Sequence, residues 1–239
     1  MINNVTKLHS LIYFATPEHE CSYLDGRLAT TVFVDPSAEI DFETYSRLSL
    51  NGFRRSGNHY YKPKCEACSA CIPVRIPVAH FRLSKSQKRI VSRNKDLTIN
   101  IRKPEYDPRH FALYERYINT KHADGDMYPP SLSQFENFLL EARPETEFVE
   151  FIDDGNLLAV AVIDHTADGL SAIYTFYDNL QARRSLGVFA VLWQIAYAHE
   201  RGVPYLYLGY WIRGCQKMSY KTNYRPLEML VHGRWLAIG

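Results

Sequence analysis

Much that would place these 239 residues in a familiar class is missing from them. A membrane-spanning helix needs about 20 consecutive apolar residues. The longest apolar stretch here, Val188–Ala198, is short and is broken by Gln194. Near the amino end only LIYFA is continuously apolar, and no small-residue cleavage site follows, so no secretory segment is expected. Cysteine is scarce and odd in number: five, with three crowded at Cys65, Cys68 and Cys71. That arithmetic does not suit a disulfide framework. Internal repeats and low-complexity tracts are absent, as is a visible Ser–His–Asp or Cys–His nucleophile set. The expectation is a reduced, cytoplasmic, folded protein without a membrane anchor.

What is present begins with a 46% apolar content, enough for one large domain or two small ones. The net charge of +2 conceals segregation. Residues 53–103 hold 13 Lys and Arg against 2 Asp and Glu, and residues 183–239 hold 8 against 2. Two basic zones on an otherwise acidic chain suggest a polyanionic ligand met by a defined face. A solvated surface with chance clustering is the bland alternative.

Along the chain, Phe42–Asn51 reads as a short helix stopped at Gly52. Ser84–Asn94 reads as a basic helix with Ser84 as its cap. Thr98–Arg102 alternates as a strand, and Pro108–His122 and Ser133–Ala142 carry helical periodicity. After Pro144 three strands are joined at Asp154-Gly155 and Asp168-Gly169, both hairpin signals. A helix over Leu186–Arg201, closed by Gly202, leads to the strand-like VPYLYLGYWI. This order resembles the acetyltransferase-like (GNAT) fold, in which the loop before that helix cradles a phosphate. Here the loop is QARRSLG, with one glycine where CoA binders carry more, so an anion is expected there rather than a CoA pyrophosphate. The expected class is α+β: a GNAT-like mixed sheet with flanking helices over residues 104–239, and an α+β region over 1–103 carrying the cysteines and the basic helix.

Three segments carry chemistry together: GFRRSGNHYYKP running into CEACSAC, AIYTFYDN followed by RRSLG, and YLYLGYWIRGCQKMSYKTNYRPLE. In this order they resemble the arginyl-tRNA–protein transferase family, most closely its bacterial branch, the aspartate/glutamate leucyltransferases. FRLSKSQKR and CSYLDGR resemble that branch too, so the likeness spans nearly the whole chain. It implies transfer of an aminoacyl group, leucyl favoured over arginyl, from tRNA to proteins with an N-terminal Asp or Glu, by a monomer. The ester is already activated, so no ATP, CoA or other cofactor is expected. What remains is alignment, oxyanion stabilisation and removal of one proton.

On that reading Asp178 would meet the incoming amine, or else merely cap a turn. Lys217 and Tyr220 would polarise the ester carbonyl, unless Lys217 and Lys221 only form a solvated helix face. Arg54, Arg55 and Arg225, with Lys221, are candidates for the acceptor carboxylate, since arginine offers a planar fork. Ordinary surface ion pairs would look the same. Lys85, Lys88, Arg89 and Arg93 would track tRNA phosphates, and Arg183, Arg184 and Ser185 would hold the terminal ones. Tyr60, Tyr61, Tyr210 and Trp211 would stack unpaired bases, although one face of that strand must be core. Cys65, Cys68 and Cys71, with Cys21 as fourth, are candidate ligands of a structural metal, against the alternative of reduced thiols packed as small apolar groups. His59 and His80 stand behind them. Cys215 is expected to pack against the GYW strand. A non-catalytic RNA-binding module with zinc, and a CoA-dependent acyltransferase, are the readings from other classes.

Overall fold

The computed structural model describes residue 8 and residues 10–238. In chain order come β1 (Tyr13–Ala15), β2 (His19–Glu20), β3 (Leu28–Ala29), β4 (Thr31–Val34), α1 (Phe42–Leu50), β5 (Arg54–Ser56), β6 (His59–Pro63) and β7 (Cys71–Pro77). Then follow α2 (Lys85–Arg93), β8 (Thr98–Arg102), α3 (Pro108–Lys121), α4 (Leu132–Phe135), β9 (Thr146–Asp153), β10 (Asn156–Thr166) and β11 (Gly169–Tyr177). The chain finishes with α5 (Leu186–Glu200), β12 (Tyr205–Ile212), β13 (Leu227–Val231) and β14 (Arg234–Ile238). Strands β14-β13-β7-β12-β11-β10-β9-β8 form one sheet; β1-β4-β6-β5 form a second, and β2 and β3 a two-stranded ribbon.

Helix starts follow their sequence signals. Asp41 accepts from the Thr44 N–H, Asp107 from Arg109 ahead of Pro108, and Ser84 forms a reciprocal capping box with Gln87. The expected helix over Ser133–Ala142 is α4 continued by a π-helical turn, Glu136–Leu140. The apolar run of β10 is continuous because both of its faces are covered. Ala159, Ala161 and Ile163 join the core under α5, whereas Val160 and Val162 join the core under α3 and α4. Each fully buried Val or Ile among them stabilises by about 1.5–3 kcal/mol.

The expected meander, helix and further strand are all present, and β12 returns parallel to β11. Strands β7 and β8, from before residue 104, also belong to the large sheet, so the fold is continuous across the expected boundary at 103. The small sheet is fastened by Asp164 of β10, a fully buried carboxylate. The Tyr45 hydroxyl donates to Asp164 Oδ2 at 2.7 Å, and Arg55 forks onto both oxygens at 2.7 and 2.8 Å. No helix among the described residues is long and apolar enough to cross a membrane.

Candidate active site

Parallel strands β11 and β12 pair only at Gly169–Tyr205, Leu170–Leu206 and Ser171–Tyr207, then part. Each continues for five or six residues with the other no longer beside it, leaving a wedge-shaped cleft. Arg54 enters the cleft at its apex. One Nη donates to Ser171 Oγ at 2.7 Å and the other to the Ala172 carbonyl. Gly209, at φ +78°, makes room: a Cβ there would stand 3.1 Å from Arg54 Nε. A left-handed backbone and a close approach both favour glycine at that position.

The adjacent arginine behaves differently. Successive residues of a strand point to opposite faces, so Arg54 in the cleft sends Arg55 into the interior. The Arg55–Asp164 pair has no side-chain exposure at either partner, and the remaining Arg55 Nη donates to the Gly57 carbonyl at 3.0 Å. Burial pushes the Asp164 carboxyl up. The Arg55 charge and the hydrogen bonds from Arg55, Thr146 and Tyr45 outweigh that, leaving it below the ordinary aspartate value. Arg55 is therefore a structural residue with its fork fully occupied, which corrects the expectation that it meets the acceptor.

Lys221 closes the site from the 3-10 segment Gln216–Asn223 after β12. It is 6% exposed, and its Nζ donates to the Tyr210 carbonyl at 2.6 Å. Burial pulls its pKa down to about 7, with the Arg54 charge adding to the fall and Cys215 opposing it. Among the described residues neither Arg54 nor Lys221 has a carboxylate within salt-bridge distance. Tyr220 stands beside Lys221, its ring centroid 5.8 Å from Nζ. Neighbours crowd its hydroxyl and raise its pKa by desolvation, yet the residue as a whole is 43% exposed. Tyr174 and Tyr177, both half-buried, lie on β11 beyond the point where the strands part, and each packs on the buried Tyr117 of α3, the Tyr177 ring at 4.8 Å between centroids. Tyr177 also packs on Gly187 at the start of α5, where a Cβ would meet its ring at 2.9 Å.

The remaining expected residues divide. Asp178 follows β11 at the cleft mouth, and its carboxylate accepts from the Leu180 N–H at 2.9 Å, the capping alternative. Lys217 is exposed and pairs with Asp124 at 2.7 Å, so it does not share a face with the buried Lys221. A 3-10 segment, unlike the α-helix expected, does not align residues four apart. Arg225 turns its guanidinium onto the Thr222 and Ile238 carbonyls, both at 3.2 Å, and ties the carboxyl-terminal strand to the 216–223 segment. Tyr210 donates to the Gly52 carbonyl at 2.7 Å, Trp211 packs on the core and Tyr60 is buried. All three hold the fold together, Tyr210 and Trp211 being half-buried.

Both basic zones meet on one surface. Lys85, Lys88, Arg89 and Arg93 are all exposed on α2. Arg93 donates to the Arg183 carbonyl, and Asn94 donates to that of Arg184 at 2.8 Å. Arg183 is exposed, whereas Arg184 lies between Asp96 and Asp153, each at 2.8 Å, so part of its charge is already answered. Ser185 adopts φ +52° just before α5 and its side chain makes no cap bond, so it does not compete for the first N–H groups of α5. The Gln87 side chain donates to the Asn223 carbonyl at 3.1 Å, joining this surface to the segment that carries Lys221.

All five cysteines are half-buried free thiols. The fields of Cys21, Cys65, Cys68 and Cys215 all reach Cys71, whose thiol is pushed up to about 11, burial being the larger cause. Their sulfurs do not close on a common point. Among the described residues, three metal-type donors converge within 4.8 Å only at Asp107, His110 and Glu150. There Arg102 and Arg109 approach the same Glu150 oxygen at 3.6 and 3.5 Å, so cations of the chain already occupy the place of an ion. The Asp107–His110–Glu150 group therefore does not fit a metal centre as arranged.

A model of the carboxyl-terminal part of arginine-tRNA-protein transferases matches residues 109–231, and one of the amino-terminal part matches residues 19–89. The chain belongs to this aminoacyl-tRNA–protein transferase family. It is an enzyme, a transferase whose substrates are aminoacyl-tRNA and protein, which removes the non-catalytic module from consideration. An aspartate/glutamate leucyltransferase of Hahella chejuensis is 61% identical over 98% of this chain and all of its own length. One from Pseudomonas fluorescens is 53% identical over the same shares. Among solved structures, FemX has a TM-score of 0.47 at 9% identity, covering 89% of this chain and 82% of its own. L-PGS from Bacillus licheniformis has a TM-score of 0.44 at 10% identity, covering 59% and 45%.

Sequence reasoning missed Ser171, Gly209 and Tyr177 as parts of this transferase's cleft, because their roles arise only where β11 and β12 part. Asp164 did leave a signal. A lone carboxylate in the apolar run LLAVAVIDHT needs a buried partner, and basic residues were near at hand in RRSG.

Proposed function

We propose that this transferase moves leucine from Leu-tRNA to the α-amine of proteins beginning with Asp or Glu, by direct aminolysis of the ester. The observation that carries this reading is Arg54 at the apex of the cleft, a cation with no carboxylate within salt-bridge distance among the described residues, with the buried Lys221 near it. An acceptor side-chain carboxylate seated there would find the planar fork of Arg54. The names of the full-length relatives support the same donor and acceptors.

The cationic apex also favours leucyl over arginyl, because a guanidinium beside Arg54 would be repelled. The tyrosines at the wider end offer apolar ring faces instead. Tyr220 is suited to donate to the ester oxygen as charge develops on it. Asp178, at the mouth, would receive the incoming ammonium. Lys85, Lys88, Arg89 and Arg93 of α2 would follow the acceptor-stem phosphates, while Arg183 and the open N-terminus of α5 at Ser185 hold the 3′-terminal ones. The chemistry needs no cofactor, since the aminoacyl ester is activated before it arrives. We assign the cysteines to packing as reduced thiols in a cytoplasmic monomer. Stoichiometric zinc or iron in anaerobically purified protein would overturn that assignment.

The deciding experiment supplies radiolabelled Leu-tRNA or Arg-tRNA with peptides that differ only in an N-terminal Asp, Glu, Lys or Ala. Label is expected to pass from Leu-tRNA to the Asp and Glu peptides alone. Transfer from Arg-tRNA instead would keep the aminolysis and change the donor. Equal use of the Ala peptide would remove the carboxylate from the argument.

A further inference from the structure

Aminolysis must dispose of one proton from the acceptor ammonium, and the cleft holds a group other than a carboxylate that is suited to take it. Lys221 is almost wholly buried, hydrogen-bonded to the Tyr210 carbonyl at 2.6 Å, and has its Nζ over the Tyr220 ring, 5.8 Å from the centroid. The groups that face it are Arg54 from β5, Cys215 from the loop entering its own segment, and Tyr220 beside it. Desolvation and a like charge both hold a lysine in its neutral form.

We propose that Lys221 is the proton acceptor of the transfer reaction, and that the acceptor's own carboxylate stabilises the charged lysine so formed. This rests on the reading above, in which that carboxylate sits on Arg54. The acceptor R–NH3+ gives one proton to the lone pair of Lys221 and becomes a neutral amine. Its nitrogen attacks the ester carbonyl carbon, forming the C–N bond and a tetrahedral oxyanion. The C–O bond to the tRNA ribose then breaks, and the second proton lost by nitrogen goes to the departing ribosyl oxygen. Lys221 returns its proton to solvent when product leaves. An N-terminal Asp or Glu thus acts on the rate of the step as well as on binding, because only an acidic side chain compensates the new positive charge beside Arg54.

The test is the pH dependence of transfer to an Asp peptide by wild type, Lys221→Met and Lys221→Arg. General-base catalysis contributes on the order of 10²-fold or more, so Lys221→Met is expected to lose about that much kcat/KM at pH 6.5. An acceptor amine with a pKa of about 7.9 becomes roughly 20-fold more neutral between pH 6.5 and 8.5, so the variant recovers over that interval. Wild type needs a protonated acceptor and a neutral lysine together, so its kcat/KM peaks near pH 7.5, about twofold above its values at pH 6.5 and 8.5. Lys221→Arg keeps a cation but cannot be neutral; it is expected to bind acceptor normally and to share the kcat defect. Full kcat in Lys221→Arg, or a Lys221→Met defect equal at both pH values, overturns the proposal. If neither variant folds, wild type labelled with 13C-lysine decides: no lysine resonance titrating between about pH 6 and 8 overturns it as well. Wild type that transfers from no aminoacyl-tRNA would sink the functional reading itself. Intact transfer with the wrong pH behaviour sinks only the role of Lys221.

Discussion

Replacing Arg55 by methionine leaves Asp164 in the interior with hydrogen bonds from Tyr45 at 2.7 Å and Thr146 at 2.6 Å and no positive charge. Removing one partner of a buried ion pair costs about 3–5 kcal/mol. At this chain length each kcal/mol lowers Tm by about 2–4 °C, so a fall of roughly 6–20 °C is expected at pH 7. The pH dependence separates this cause from a simple loss of packing. In wild type the Asp164 pKa lies below its unfolded value, so its contribution is present at neutral pH and is lost as pH falls through the folded pKa. Without Arg55 burial dominates and the folded pKa rises above the unfolded one. The variant's penalty is then largest at neutral pH and shrinks as pH falls toward 5, where the buried acid takes up its proton. Thermal melts followed by circular dichroism between pH 5 and 8 measure both curves. At a temperature where it is folded, the variant should still prefer Asp over Ala peptides, because Arg55 does not reach the cleft. A Tm within about 3 °C of wild type at pH 7, or a penalty independent of pH, would refute the reasoning.

Arg54→Gln, which also removes the bonds to Ser171 and the Ala172 carbonyl, should lower Tm by a few degrees and weaken capture of Asp peptides. A hydrogen bond to a charged group is worth about 1.5–3 kcal/mol, or roughly 10- to 150-fold in kcat/KM. Gly209→Ala forces a side chain into a left-handed backbone 3.1 Å from Arg54, and strain of this kind costs about 1–3 kcal/mol. Melts should register that cost, and kinetics should show a raised KM for the acceptor; a silent substitution would separate Gly209 from the positioning of Arg54. Lys88→Ala combined with Arg89→Ala should flatten the dependence of log Kd for tRNA on log salt, by about 0.7–0.9 for each phosphate no longer neutralised. An unchanged slope would place the tRNA backbone elsewhere.

Local pattern was enough for most of the elements. Alternation, caps and hairpin dipeptides mark the strands and helices of the carboxyl-terminal half closely, because those signals act over two to four residues. The basic helix and the RRSLG loop were also legible as charge. That they form one surface was not, since Arg93 and Arg183 meet only through the packing of α2 on α5.

The sequence by itself determined the family, the mixed α/β class, the two basic zones and the cast of candidate residues. Tertiary structure alone decided which of them face the cleft. Neighbouring arginines of one strand must point opposite ways, so Arg54 and Arg55 could not share a role, and burial of Asp164 determined which one was taken inward. Lys217 and Lys221 are the same residue type four apart, yet one is paired in solvent and the other is buried near Arg54, where its neutral form is favoured. Chemistry at the cleft follows from dielectric and distance, and both are set by packing that joins residues far apart in the chain.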